Sequence, residues 1–259
     1  MSDEDISLTE KRVYAGGDGA TAAFVASAIG LARVAVSDDI VGEFSLDHRG
    51  DTTAVAADGG HLAIGTPEDV FIGTDDGFYG IDFGAATAVG YRDGLVASGG
   101  ERVARYDGGW ETVAEIDGVR AIDDGMVAAE SGVYRLDGTH VGLDDVRDVS
   151  GSGTPLAATG DGLYALANGW VRALDGAFRC VSSDGERAHA ATRETLYERS
   201  DDGEWTAVDL PVDGAVVDVA YGGDGTYAVT EAGVFLADVG DGWRHRSIGL
   251  SGVSGMAIV

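Results

Sequence analysis

The stretch that decides the fold is Gly125-Met126-Val127-Ala128-Ala129-Glu130-Ser131-Gly132-Val133-Tyr134-Arg135-Leu136-Asp137-Gly138. It contains two short apolar runs, separated by a Ser-Gly turn and followed by an Asp-Gly turn. Short apolar runs between glycine-containing turns are typical of β-strands, because glycine adopts the positive φ that tight hairpins require. The stretch therefore predicts two antiparallel strands joined by a tight turn.

The same unit recurs along nearly the whole chain, for example in residues 155–166 and 227–236. We take the first residue of the third strand as the marker of each unit. The seven markers are Leu31, Val70, Val103, Val133, Leu163, Leu196 and Val234. These positions are 30 to 39 residues apart, which is the length of chain that a four-stranded propeller blade needs. We therefore predict an all-β fold: a single seven-bladed β-propeller over residues 13–259, preceded by an N-terminal tail of residues 1–12.

The two ends of the chain predict how the ring closes. Residues 252–259 have the pattern of an innermost strand but no unit of their own, and the first unit lacks an innermost strand. Pairing the C-terminal strand into the first blade removes both unpaired edges. We expect the propeller to be closed in this way.

An aromatic residue follows the Gly-containing turn after the third strand in five units. These residues are Phe78, Trp110, Trp170, Trp205 and Trp243, which include all four tryptophans of the chain. An aromatic residue that recurs at one place in a repeat usually packs between neighbouring units. We therefore interpret them as packing residues between blades and not as a ligand platform.

The composition is strongly acidic. Asp and Glu number 45 against 17 Lys and Arg, for a net charge of −28, and Lys11 is the only lysine. Such a surface is typical of proteins from salt-loving archaea, where a Debye length of about 3 Å at 1 M salt screens the carboxylates from one another. It argues against general nucleic-acid binding and against binding to an anionic membrane. Residues 1–6 lack the features of a secretory signal, and no apolar run approaches the length of a membrane span, so we expect a cytoplasmic protein.

The sequence contains no recognisable catalytic or metal-binding motif. Cys180 is the only cysteine, so thiolate pairs cannot bind zinc, and we expect a buried structural thiol. The five histidines are dispersed, without metal-ligand spacing and without the setting of a nucleophile and its base. We predict no catalytic residue, no metal and no cofactor.

The turn Ser200-Asp201-Asp202-Gly203-Glu204-Trp205 resembles a shortened Asp-box of sialidase-like propellers. The repeat as a whole resembles a family of haloarchaeal β-propeller proteins with WD40/YVTN-like or Asp-box-like short blades. This resemblance implies an architecture and no particular reaction, because propellers serve many unrelated functions. A sialidase-like enzyme would need an arginine triad with a tyrosine nucleophile. A lactonase-like enzyme would need a calcium site. A single Asp-box turn is not enough to assign any of these roles to residues of this chain.

Three arginines form the candidate binding site. Arg120, Arg147 and Arg179 each stand at the second position of a predicted innermost strand in three consecutive units, which places them around one sector of the central channel. The loops expected on the same face add Arg49, Arg102, Arg193 and His48. Guanidinium groups bind carboxylates and phosphates and keep their charge at any physiological pH. The alternative is structural, with Asp123, Asp144, Asp145 and Asp148 as ion-pair partners that tie the innermost strands together.

Two functional hypotheses follow from this site. The first is a non-enzymatic interaction scaffold whose channel mouth binds an acidic partner protein or an anionic small molecule. The second is a hydrolase of sialidase-like or lactonase-like type at the same mouth. The state of the carboxylates beside the arginines separates the two, because an enzyme needs a carboxylate that is free to act as an acid or a base.

Overall fold

The computed structural model of the protein describes residues 21–37, 40–223 and 225–259. The predicted boundary between the tail of residues 1–12 and the propeller lies outside these residues. All regular secondary structure in the described residues is β-strand, and the strands form seven four-stranded antiparallel sheets. The predicted all-β, seven-bladed propeller is confirmed.

Each blade is one sheet, in which the strands follow one another from the channel outwards. Blade 1 consists of β28 (Val253–Ile258), β1 (Thr21–Ser27), β2 (Gly30–Ser37) and β3 (Ile40–Arg49). Blade 2 consists of β4 (Ala54–Asp58), β5 (His61–Gly65), β6 (Val70–Thr74) and β7 (Gly77–Gly80), and blade 3 of β8 (Ala88–Tyr91), β9 (Leu95–Gly99), β10 (Arg102–Tyr106) and β11 (Trp110–Glu115). Blade 4 consists of β12 (Val119–Asp123), β13 (Met126–Ala129), β14 (Gly132–Arg135) and β15 (His140–Gly142).

The remaining three blades follow the same order. Blade 5 consists of β16 (Val146–Ser150), β17 (Leu156–Thr159), β18 (Gly162–Leu166) and β19 (Trp170–Asp175). Blade 6 consists of β20 (Cys180–Ser183), β21 (Ala188–Ala191), β22 (Leu196–Arg199) and β23 (Trp205–Val208). Blade 7 consists of β24 (Val216–Gly222), β25 (Gly225–Thr230), β26 (Val234–Asp238) and β27 (Arg244–Ser247). All seven residues that marked the repeat lie on the third strand of their blades.

The ring closes through the C-terminal strand, as predicted. β28 pairs antiparallel with β1, with Phe24 opposite Ala257 and Val25 opposite Met256. The N–H of Val259 also donates to the carbonyl of Ala22 at 2.9 Å. The last strand of the chain is therefore the innermost strand of blade 1.

The apolar core lies between the blades. Seven clusters of buried side chains each combine residues from two neighbouring blades, so every blade packs against both of its neighbours. Phe78, Trp110, Trp170, Trp205 and Trp243 each pack against the cluster that their blade shares with the preceding blade. The interpretation of these aromatics as inter-blade packing residues is confirmed.

The described residues contain no helix that could span a membrane.

Candidate functional site

A cavity of about 870 Å³ runs along the axis of the ring. The innermost strands of all seven blades line it, which makes it the central channel of the propeller. Innermost strands run in the same direction in every blade, so residues near their starts meet at one end of the channel. We call this end the arginine mouth, after Arg120, Arg147 and Arg179, which line it.

Two β-bulges place the first two arginines. The register of β12 on β13 shifts between Val119 and Ala121, and that of β16 on β17 shifts between Val146 and Asp148. Arg120 and Arg147 are therefore the extra residues of the two bulges. Bulges redirect side chains locally, and this accounts for Arg147 and its direct neighbour Asp148 both lining the channel. Arg179 directly precedes β20. The prediction that Arg179 is the second residue of this innermost strand is therefore wrong.

Each arginine of the mouth contacts a neighbouring blade. Asp145 accepts from Nη1 of Arg120 at 2.8 Å and lies 3.6 Å from Nη2 of Arg147. The Nη1 groups of Arg120 and Arg147 also donate to backbone carbonyls of the following blade, Val146 and Phe178 respectively, both at 3.2 Å.

Arg179 makes the third ion pair of the mouth. Its Nη1 donates to Glu231 of blade 7 at 3.1 Å. Of the four aspartates that the sequence suggested as partners, only Asp145 forms an ion pair with these arginines among the described residues.

The loop that carries Asp145 is held in an unusual backbone conformation. Leu143 has a φ of 64° and Asp145 a φ of 47°, a region that residues other than glycine rarely adopt. The N–H of Asp145 donates to the carbonyl of Glu130 at 2.8 Å, which anchors the loop. Gly160 leaves the room that the carboxylate needs, since a Cβ at this position would overlap Asp145 Oδ2.

The guanidinium groups lower the pKa of the carboxyl between them. The hydrogen bond from Arg120 is the largest cause of the lowered pKa of Asp145, and the charge of Arg147 adds to it. Asp145 is therefore ionised at any pH near neutrality.

The other predicted site residues lie at the same end of the ring but do not line the channel. Arg49 and Arg193 are exposed on loops and strand ends, and the guanidinium of Arg102 lies 4.9 Å from the ring centre of Phe83. His48 packs near the rings of Phe71 and Phe78, at 5.1 and 5.4 Å between centroids, and burial lowers its pKa. The structure thus brings together Arg120, Arg147 and Arg179 only.

Three carboxyl groups lie deeper in the channel: Asp123, Asp148 and Asp218. They accept backbone N–H groups and have no arginine partner among the described residues. The structural alternative therefore holds for Asp145 alone, since Asp123, Asp144 and Asp148 form no ion pair with these arginines among the described residues. Asp218 was not predicted at all. The repeated pattern Val-Xaa-Asp-Val, at residues 146–149 and 216–219, is the signal that identifies the two equivalent positions.

Crowding in the channel raises the pKa of all three carboxyls. Desolvation is the largest cause in each case; it raises the pKa of Asp148 well above its usual value and that of Asp218 to about 7. The charge of Asp218 raises the pKa of Asp148 further. Cys180, the buried thiol that the sequence predicted, lies in the same wall and has a raised pKa for the same reasons.

The opposite end of the channel is acidic. Arg92 pairs with Asp124 there, and Asp58, Asp93 and Asp184 also line this end. Within the described ranges no group of three His, Cys, Asp or Glu side chains could hold a metal ion. The carboxylates beside the arginine mouth, Asp145 and Glu231, are both held by guanidinium groups, which leaves neither free as an acid or a base.

Comparison with known proteins agrees with this architecture. A family model described as "Beta-prop_HVO_0234:-like, beta propeller" matches residues 7–259. No curated protein matches the chain significantly.

Solved structures with the same fold share little sequence with the chain. The computationally designed Ika8 protein matches with a TM-score of 0.61 at 14% identity, over 93% of this chain and 91% of that one. The WD40 β-propeller domain of Doa1 matches with a TM-score of 0.60 at 13% identity, over 91% and 89%. The extracellular domain of the two-component system protein BT4673 from B. thetaiotaomicron matches with a TM-score of 0.63 at 13% identity, over 79% of this chain but only 35% of that one. At these identities the likeness shows the fold alone.

Proposed function

Because the chain belongs to the HVO_0234-like β-propeller family and this fold does not define an activity, we propose from the geometry of the site that the protein is a non-enzymatic interaction scaffold. In this proposal the arginine mouth binds an acidic partner protein or an anionic ligand. The net charge of −28 supports a place in the salt-rich cytoplasm of a halophilic archaeon.

The observation that carries the proposal is the arrangement of the three guanidinium groups. They come from blades 4, 5 and 6, line one mouth of one channel, and have side chains that are 35%, 36% and 31% exposed. The described contacts use only Nη1 of Arg120 and of Arg179, and the two Nη groups of Arg147. Each group therefore keeps N–H donors for a further carboxylate or phosphate, and its ion pairs hold it in position beforehand.

The hydrolase alternative lacks such support. A hydrolase at this mouth needs a carboxylate or another group that can transfer protons. The carboxylates at the mouth, Asp145 and Glu231, are held by arginines at 2.8 and 3.1 Å. The carboxyls that have a raised pKa, Asp148 and Asp218, lie deeper in the channel, where both oxygens of each accept backbone N–H groups. The scaffold is therefore the function that we propose.

Binding of a fluorescein-labelled hexaglutamate peptide, followed by fluorescence anisotropy, tests the proposal. We expect the wild-type protein to bind the peptide and the triple variant Arg120→Gln/Arg147→Gln/Arg179→Gln to bind it at least about tenfold more weakly, a loss of about 1.4 kcal/mol. Three partly exposed ion pairs contribute about 0–1 kcal/mol each, so the variant should remain folded by circular dichroism.

Arg92→Gln is the matched control. Arg92 lines the same channel and is ion-paired like the others, but it lies at the acidic end. The proposal is wrong if the wild-type protein does not bind the peptide, or if Arg92→Gln weakens binding as much as the triple variant does.

A further inference from the structure

The three deep carboxyl groups of the channel connect neighbouring blades. Oδ2 of Asp148 accepts the N–H of Val181 in blade 6 at 2.8 Å, and Oδ2 of Asp218 accepts the N–H of Met256 in blade 1 at 2.8 Å. Oδ2 of Asp123 accepts the N–H of Gly151, which directly follows β16 of blade 5, at 2.9 Å. We call Asp123, Asp148 and Asp218 the carboxyl girdle.

The carboxyl girdle and the arginine mouth share one cavity. Arg147 and Asp148 are consecutive residues of β16, and Arg120 and Asp123 both lie on β12. The girdle side chains are partly exposed to the channel, so water can deliver protons to them. An anion that enters between the arginines therefore approaches these carboxyls next.

The charged groups that face the girdle are mostly acidic. Asp148 faces the charges of Asp218 and Asp123, Asp218 faces Asp123, and Asp123 also faces Asp124. Cys180 at the start of β20 and Arg179 just before this strand are also close to the girdle. β28 contributes no titratable side chain. The other charged or titratable groups of the cavity wall are Asp58, Tyr91, Arg92, Asp93, Arg120, Arg147, Asp184 and Tyr221.

This surrounding disfavours the ionised form of each girdle carboxyl and so raises its pKa. The pKa of Asp218 is about 7 in the folded chain, against about 3.9 for an aspartate in an unfolded chain. Asp218 therefore holds a proton in the folded chain between about pH 4 and pH 7, and its own contribution to the free energy of unfolding falls as the pH rises through that window.

We propose that the carboxyl girdle is a proton-controlled gate that regulates entry of an anionic group from the arginine mouth into the channel. The walls of the cavity carry seven aspartates and four arginines among the described residues, a net charge of −3 when all are ionised. Protonation of Asp148 and Asp218, the two girdle carboxyls whose pKa is raised most, changes this net charge from −3 to −1. Mild acidification then strengthens anion binding, and alkaline conditions weaken it. This inference rests on the proposed function of the mouth.

The first arm of the test measures the girdle without any ligand. In ¹³C NMR of the wild-type protein, we expect the side-chain carboxyl carbons of Asp148 and Asp218 to titrate more than one pH unit above those of exposed aspartates. Titration of both with the exposed carboxyls would overturn the gate. This arm needs no variant that might fail to fold.

The second arm measures binding of the labelled hexaglutamate peptide at about pH 6 and about pH 8, where its side chains with a pKa of about 4.3 stay ionised. We expect the wild-type protein to bind at least about threefold more tightly at the lower pH, and Asp148→Asn/Asp218→Asn to bind equally at both. Asp117→Asn, which removes an exposed carboxylate, is the matched control and should keep the pH dependence of the wild type.

The two arms separate the gate from the proposed function. If the peptide binds, requires the three arginines and shows the same affinity at both pH values, the gate is wrong and the binding function stands. If the peptide binds at neither pH, the proposed binding function is wrong. The proposed gate is then wrong as well, even if the carboxyls titrate as expected.

Discussion

At the scale of single residues, Asp145 determines the state of the arginine mouth. Its carboxylate contacts both Arg120 and Arg147, and its backbone has the positive φ that places it between them. It is thus both the structural partner of the arginines and the competitor of any anionic ligand. The two interpretations that the sequence left open describe two roles of the same ion pairs.

Replacing Asp145 by asparagine separates these roles. Asparagine has nearly the same shape and tolerates positive φ, so Asp145→Asn removes the charge with little disturbance of the loop. We expect the hexaglutamate peptide to bind at least about threefold more tightly, and the free energy of unfolding to fall by about 0.5–1 kcal/mol as a partly exposed ion pair is lost. Anisotropy titration and urea unfolding measure the two effects.

Asp144→Asn is the control for the change in charge. Asp144 is the exposed neighbour in the same loop, and none of the described contacts links it to an arginine. An equal gain in affinity in both variants would show a general charge effect and contradict a specific role of Asp145.

At the scale of secondary-structure elements, the start of the fourth strand connects each blade to the one before it. The indole N–H of Trp110 donates to the carbonyl of Ile81 at 2.8 Å, and that of Trp170 to the carbonyl of Val141 at 3.2 Å. Both carbonyls belong to the preceding blade. Trp205 packs against the core between blades 5 and 6, and its indole N–H has no hydrogen-bond partner among the described residues.

This difference gives a prediction about blade packing. Trp110→Phe removes ring area and a hydrogen bond, whereas Trp205→Phe removes ring area alone. We expect Trp110→Phe to lower the free energy of unfolding by about 0.5–1.5 kcal/mol more than Trp205→Phe does, because a typical intramolecular hydrogen bond contributes that much. Equal losses in urea unfolding would mean that the indole hydrogen bond does not contribute to stability.

At the scale of the whole molecule, a single strand closes the ring. β28 covers the inner edge of β1, contributes Met256 to the core between blades 7 and 1, and supplies the N–H that Asp218 accepts. Outside these contacts, Arg246 of blade 7 donates to the carbonyls of Val41 and Gly42 in blade 1. The channel, and with it the candidate site, depends on this closure.

Removal of Val253–Val259 is therefore expected to destabilise the whole propeller. The truncation exposes the edge of β1 and opens a buried interface, so we expect loss of the cooperative thermal transition in circular dichroism, or a melting temperature lower by more than about 10 °C. A synthetic peptide of residues 250–259 added in trans should restore part of the transition, and deletion of Val259 alone should have little effect. An unchanged cooperative melt after truncation would contradict closure by β28.

The sequence by itself determined the architecture of this protein. Repeat spacing, glycine-containing turns and the unmatched C-terminal strand predicted seven blades and their closure, because strand pairing within a blade is local and the period of apolar residues reports it directly. The same period placed Arg120, Arg147 and Arg179 at one end of the channel, since equivalent positions in a repeat meet at equivalent places.

Only the tertiary structure decided which charged groups meet. The bulges at Arg120 and Arg147, the positive φ of Asp145 and the N–H groups that Asp148 and Asp218 accept all depend on contacts between blades. For the same reason Arg49, Arg102, Arg193 and His48, although at the same end, do not reach the channel. Sequence period gives the position of a residue within its own blade, whereas the partner and the pKa of a side chain depend on the distance and solvation that the packing of the next blade creates.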